Sequence, residues 1–110
     1  HLAGDIALRQ LGAMLREEFP APFICGRSGG EEFCVVAPGM DKKDFAYKLE
    51  NFRTTVSSKP VQIGALSIVI SVSIGMAELR ASDLETLISA ADAQLYTAKR
   101  EGRDRFVWQP

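Results

Sequence analysis

No apolar run among the 110 residues is long enough to span a bilayer, and no signal peptide opens the chain. The sequence therefore reads as a soluble domain with no direct membrane contact, expected in the cytoplasm either free or as the cytoplasmic part of a membrane-anchored protein. Histidine occurs once, as His1, and cysteine twice, as Cys25 and Cys34. Two cysteines this far apart make no CxxC-type zinc site, and a chain of this length builds a core without disulfides or a structural metal. Both lie in strand-like apolar segments and read as small, reduced core residues. Charge of one sign is also lacking: 13 basic side chains face 14 acidic ones, for a net charge of -1. That balance gives no global attraction to nucleic acid or to anionic lipid, so a polyanionic ligand must be held by a local cluster of cations. Repeats, low-complexity segments and linkers are absent too, which leaves one domain.

What is present is clear patterning. Leu2, Ile6, Leu11, Leu15 and Phe19 recur at helical spacing, and Pro20 and Pro22 end that helix. Two β-prone runs, 23–28 and 31–37, flank Gly29-Gly30, a hairpin signal because tight turns need positive φ. Pairing Ser28 with Glu31 across that two-residue turn places Cys25 opposite Cys34. Asp41 is the expected N-cap of a helix over 42–57 with Phe45, Leu49, Phe52 and Val56 on one face. Residues 66–77 alternate between apolar side chains and Ser67, Ser71, Ser73 and Gly75, which predicts a single strand. Ser82 and Glu85 form a capping box before a helix with Leu84, Leu87, Ile88, Ala91, Leu95 and Ala98 as its stripe, and Gly102 stands at its stop. A short strand over 105–108 follows. The order α-β-β-α-β-α-β indicates an α/β (α+β) sandwich whose mixed, mainly antiparallel sheet is covered by amphipathic helices. One more strand and helix at its start would complete the ferredoxin-like pattern.

The segment Gly29-Gly30-Glu31-Glu32-Phe33 carries the chemistry. Two glycines at a hairpin tip let a phosphate approach the backbone, and an acid beside them suits a hard cation. Successive strand residues point to opposite faces, so Glu31 and Glu32 should differ in role. By itself such a segment is more often a solvated hairpin tip. Asp5 by itself is an acid favoured near a helix N-terminus, and Lys99 and Arg103 are cations favoured near a helix C-terminus. Their i, i+4 spacing also lets both extend from one helix face towards a triphosphate. The serines of 66–77 form one polar face; no histidine lies nearby in sequence to activate them.

In sequence the chain resembles the GGDEF family in four blocks of matching order and spacing. GRSGGEEF carries the signature with Glu in its variable third position, and HLAGD is similar to the family's GHxxGD without the first Gly. SVSIG matches the VSIG strand, and ADAQLYTAKREGR matches ADxALYxAKxxGR except at Gln94. The resemblance implies a palm-type, ferredoxin-like fold and a bacterial diguanylate cyclase, which condenses two GTP molecules into cyclic di-GMP and releases pyrophosphate. It implies Mg²⁺ or Mn²⁺ as cofactor and an antiparallel pair with a second GGDEF subunit, each presenting one GTP. On that pattern Glu31 is the metal ligand and general base, with Glu32 supporting the same site. Gly29 and Gly30 meet the phosphates, Asp5 reads guanine, His1 is on the substrate side, and Lys99 and Arg103 bind phosphate.

The resemblance also marks departures. Asp104 stands where the family has Asn, adding a negative charge expected to weaken GTP affinity modestly. The family's first strand, with its DxDxFK segment and the following guanine-contacting Asn, is not in these residues, so the chain is expected to be most of one domain within a longer protein. An upstream sensor or regulatory domain is expected, and residues 1–110 alone are expected to be inactive. The RxxD product-inhibition motif is replaced by Pro20, Ala21, Pro22 and Phe23. The alternative to an active cyclase is a silent, GTP-binding GGDEF module that regulates a partner domain.

Overall fold

The computed structural model describes residues 2–78 and 84–108. They form two compact units, one of residues 2–40 and 59–70 and the other of residues 41–58, 71–78 and 84–108. The fold is α+β.

The first unit opens with helix α1 (Leu2–Glu18), which carries Asp5 in its first turn. Leu11, Leu15 and Phe19 are buried, as the apolar spacing predicts. Pro20 ends the helix, and the Phe23 amide closes the following turn on the Pro20 carbonyl at 3.0 Å. Phe23 meets Phe19 edge to face with centroids 5.3 Å apart. Strands β1 (Ile24–Gly29) and β2 (Glu32–Val36) make an antiparallel hairpin. A second hairpin, β3 (Val61–Ile63) with β4 (Leu66–Ile68), turns at Gly64, where φ is +62°. Val61 of β3 is buried in this unit, where β3 lies against α1.

The second unit starts with helix α2 (Lys42–Ser58), capped as expected: the Asp41 carboxylate accepts from the Lys43 amide at 3.0 Å. Its buried face is Ala46, Leu49, Phe52 and Val56, whereas Phe45 is only half-buried. Full burial of a Leu, Phe or Val contributes about 1.5–3 kcal/mol, so this stripe fastens α2 to its sheet. That sheet pairs β5 (Ile74–Met76) with β6 (Phe106–Trp108) in parallel. Helix α3 (Leu84–Arg100) packs on β5 and β6 and buries Ala98 completely. Of the Ser82–Glu85 capping box, Ser82 and the Glu85 side chain lie outside the described residues.

Two expectations are corrected here. Residues 66–77 are not one strand: β4 pairs back onto β3, β5 pairs with β6, and residues 69–73 join no ladder. Alternation shows that a segment is extended and half-buried, but not which strand it pairs with. The tip of the first hairpin is also shifted. Gly29 pairs with Glu32, a bulge at Ser28 separates that pair from Arg27↔Phe33, and Gly30 and Glu31 form the turn. Cys25 therefore faces Val35, and Cys34 faces Gly26.

Neither cysteine is in a disulfide. The Cys25 thiol donates to the Phe19 carbonyl at 3.5 Å, and burial pushes its pKa up. Mass spectrometry after rapid alkylation is expected to find two free thiols, with Cys25 reacting more slowly than an exposed cysteine. A mass two hydrogens lighter, or Cys25 alkylating at the rate of a free thiol, would contradict this.

Candidate functional site

Gly29 and Gly30 adopt φ of +152° and +47°, conformations that side chains rarely tolerate. A Cβ built on either would meet no other atom within 4 Å, so the backbone is open to a ligand. Arg27 holds this tip. Its Nε donates to the Gly30 carbonyl at 2.7 Å, and its Nη2 donates to the same oxygen. Glu31 is exposed in the turn and Glu32, half-buried, begins β2. The two acids thus differ in setting as expected, though Glu31 sits in the turn and not on the strand.

Phe33 links the hairpin to α1. A Cβ at Gly12 would lie 3.5 Å from the Phe33 ring, at ordinary van der Waals distance, so the ring seats against this face of the helix. Between α1 and the hairpin runs a groove of about 330 Å³, a volume suited to a small ligand. Leu8, Leu15 and Phe33 give it apolar walls, while Asp5 and the cations Arg9, Arg16 and Arg27 line it as well. Among these, Asp5 was expected at a ligand site. The three arginines were not singled out from sequence, although Arg27 lies within GRSGGEEF and Arg9 and Arg16 fall between the apolar positions of α1. His1 lies outside the described residues.

Magnesium is usually held by one or two carboxylates, with substrate phosphates and water completing its shell. An exposed Glu31 beside two open glycines fits that donor set. A protein cage does not: no group of three or more His, Cys, Asp or Glu that could hold a metal occurs among the described residues.

In the second unit, α3 stops at Gly102 in a Schellman motif. The Arg103 amide donates to the Ala98 carbonyl at 2.9 Å and the Gly102 amide to the Lys99 carbonyl at 3.4 Å. Lys99 is on the helix and half-buried, whereas Arg103 lies beyond it and is exposed. The expectation that both extend from one helix face is therefore corrected, because Gly102 ends the helix between them. Arg100 is placed differently again, with its guanidinium 5.8 Å from the Tyr96 ring centroid.

The chain continues left-handed after Gly102, with φ of +60° at Arg103 and +46° at Asp104. For residues with a Cβ this costs about 1–2 kcal/mol each, least for Asp. Arg53 of α2 reaches this loop. Its Nη1 donates to the Asp104 carboxylate at 3.0 Å and to the Asp104 carbonyl at 3.2 Å, while its other edge grips Glu50. That grip holds the Glu50 carboxyl below its ordinary pKa and raises that of Arg53. The Asp104 carboxylate, whose charge was expected to act on a phosphate site, is thus paired with a guanidinium that it shares with Glu50.

A match to the family model for the diguanylate cyclase GGDEF domain extends over residues 1–105. The chain belongs to the GGDEF family. It is 32% identical to an uncharacterized membrane protein of Staphylococcus haemolyticus, across 100% of this chain and 32% of that protein. It is 33% identical to the diguanylate cyclase DgcP of Pseudomonas aeruginosa, across 96% of this chain and 16% of that enzyme. The crystal structure of the diguanylate cyclase SiaD with its activator SiaC, also from Pseudomonas aeruginosa, superposes with a TM-score of 0.90 at 31% identity. That match covers 99% of this chain and 42% of SiaD. The chain thus spans a third or less of these two curated relatives. No described helix is long and apolar enough to cross a membrane.

Proposed function

We propose that the protein containing this chain is a diguanylate cyclase that condenses two GTP molecules into cyclic di-GMP. The observation that carries the reading is the GGEEF turn, open at both glycines, in a hairpin whose Arg27 and Phe33 line a groove together with Asp5. The Asp5 carboxylate accepts from N1 and N2 of guanine, a donor pair adenine lacks. Gly29 and Gly30 bring backbone amides to the phosphates. Lys99 and Arg103 supply phosphate charge, and His1 is assigned a substrate-binding role by the family pattern. In each half-reaction the 3'-oxygen of one GTP bonds to the α-phosphorus of the other and the bond to pyrophosphate breaks. Glu31 takes the 3'-hydroxyl proton, with Glu32 supporting the site. Glu31 would also hold Mg²⁺ or Mn²⁺, which neutralises charge developing on the phosphates. Because each domain offers one GTP, the reaction needs a second GGDEF domain in antiparallel apposition. The intact Glu31 and Glu32 favour this enzyme over a silent GTP-binding module. Full-length protein supplied with GTP and Mg²⁺ should form cyclic di-GMP, and a folded protein that binds GTP yet forms none would leave the silent module standing.

Product is not expected to inhibit through an RxxD site. Residues 20–23 form a turn closed on its own backbone, and Phe23 packs on Phe19. Neither Pro20 nor Phe23 can replace the charge-assisted bonds of arginine and aspartate, worth about 1.5–3 kcal/mol each. Calorimetric titration with cyclic di-GMP should reveal no tight binding outside the active site. Submicromolar binding that survives Glu31→Ala and maps to residues 20–23 would refute this.

A further inference from the structure

The left-handed pair Arg103-Asp104 has its backbone polar groups engaged. The Arg103 amide is held by Ala98, and its carbonyl accepts from Arg105 Nε at 3.1 Å. The Asp104 amide donates to Ser73 Oγ at 3.0 Å, and its carbonyl accepts from Arg53. Arg53 reaches both the carbonyl and the carboxylate of Asp104, from a helix 51 positions away in sequence. Its side chain is 19% exposed, while that of Asp104 is 50% exposed, so only the Arg53 end of the link is shielded from water. A backbone this unfavourable persists only where its surroundings over-determine it, and such segments cluster at ligand sites.

We propose that Arg53 is a positioning residue: through Asp104 it locks Arg103 and Asp104 in the left-handed conformation that presents the exposed Arg103 to a nucleotide phosphate. The inference rests on the reading of Arg103 as a phosphate ligand. Asp104 is then a working partner of Arg53, and the residue expected to repel phosphate instead helps hold the cation that binds it. Ser73 takes part by fixing the Asp104 amide, which gives the serine face of 66–77 one concrete task.

The experiment uses full-length protein in two measurements, Mg²⁺-GTP binding by calorimetry and hydrogen exchange of the peptide spanning 101–106. Arg53→Ala and Asp104→Ala should each weaken GTP binding about fivefold, the scale of a partly exposed ion pair. Asp104→Asn keeps the acceptor oxygen and should stay within about twofold of wild type. In an Arg103→Ala background, Arg53→Ala should cost nothing more, because the residue it positions is gone. A merely structural role for Arg53 would give the same loss in both backgrounds, and that result overturns the proposal. Exchange of the 101–106 peptide should quicken in Arg53→Ala, and also in Arg53→Lys should the alanine variant fail to fold. Unchanged exchange in a folded variant overturns the proposal as well. Wild-type protein that binds no GTP would instead defeat the reading of the site, and exchange would still decide whether Arg53 holds the loop.

Discussion

Glu31→Ala is expected to abolish cyclic di-GMP formation by the full-length protein, lowering turnover by at least about 10³-fold, in line with loss of a proton acceptor and a metal ligand together. Glu31 is exposed in the hairpin turn, between Gly30 and the first residue of β2. Nothing in that placement calls for a carboxylate on structural grounds, and surface substitutions usually shift stability by no more than about 0.5 kcal/mol. The variant should therefore melt like wild type, so that lost turnover reports chemistry and not unfolding. Measured at saturating GTP and Mg²⁺, turnover near the wild-type rate would remove Glu31 from both of its proposed roles. It would also withdraw the hairpin tip as the catalytic centre.

Gly75→Ala should have the largest effect on stability. Gly75 belongs to β5 and pairs with Val107 of β6. A Cβ there would lie 2.5 Å from the Ala91 carbonyl oxygen and 2.7 Å from the Gln94 carbonyl carbon, and closer still to the Leu95 amide nitrogen. These are backbone atoms of α3, which cannot rotate aside, so the helix must move off the strand. Overpacking that side chains can absorb costs about 1–3 kcal/mol; here the cost should reach at least the upper end. For a domain of this size that means a melting temperature lower by more than about 10 °C. Gly4→Ala is the contrast. Gly4 lies within α1 with open space around it, and alanine there should be neutral or stabilising by up to about 1 kcal/mol. A Gly75→Ala protein melting within about 2 °C of wild type would show that the close approach of β5 to α3 is not needed.

The candidate site was legible where its signals are local. Gly30 in the hairpin turn, Asp5 in the first turn of α1 and Gly102 at the end of α3 all follow from short-range rules, and the structure places each at such a position, whereas Gly29 falls at the end of β1. Arg103 was legible as a cation four residues after Lys99 and, through the AKREGR block, as a phosphate ligand by resemblance, but its place relative to the helix was not. Its displacement off the helix depends on the Schellman turn and the two left-handed residues around it. Arg53 could be read as an i, i+3 partner of Glu50, but its reach to Asp104 could not, since nothing local joins positions 53 and 104.

By itself, then, the sequence determined the three helices, the α+β class and the family. Those follow from periodicity, capping and motifs, in which each residue is read against neighbours a few positions away. Tertiary structure alone decided the pairing partners and the registers. The alternating segment 66–77 satisfies strand rules throughout, yet it is divided because β3 offers one edge to β4 and β6 another to β5. The hairpin tip moved by one residue because a bulge at Ser28 and the Arg27 bond to the Gly30 carbonyl select one register over its neighbour. Hydrogen-bond ladders and ion pairs join residues through space, and alternation in one strand is the same whichever partner it finds.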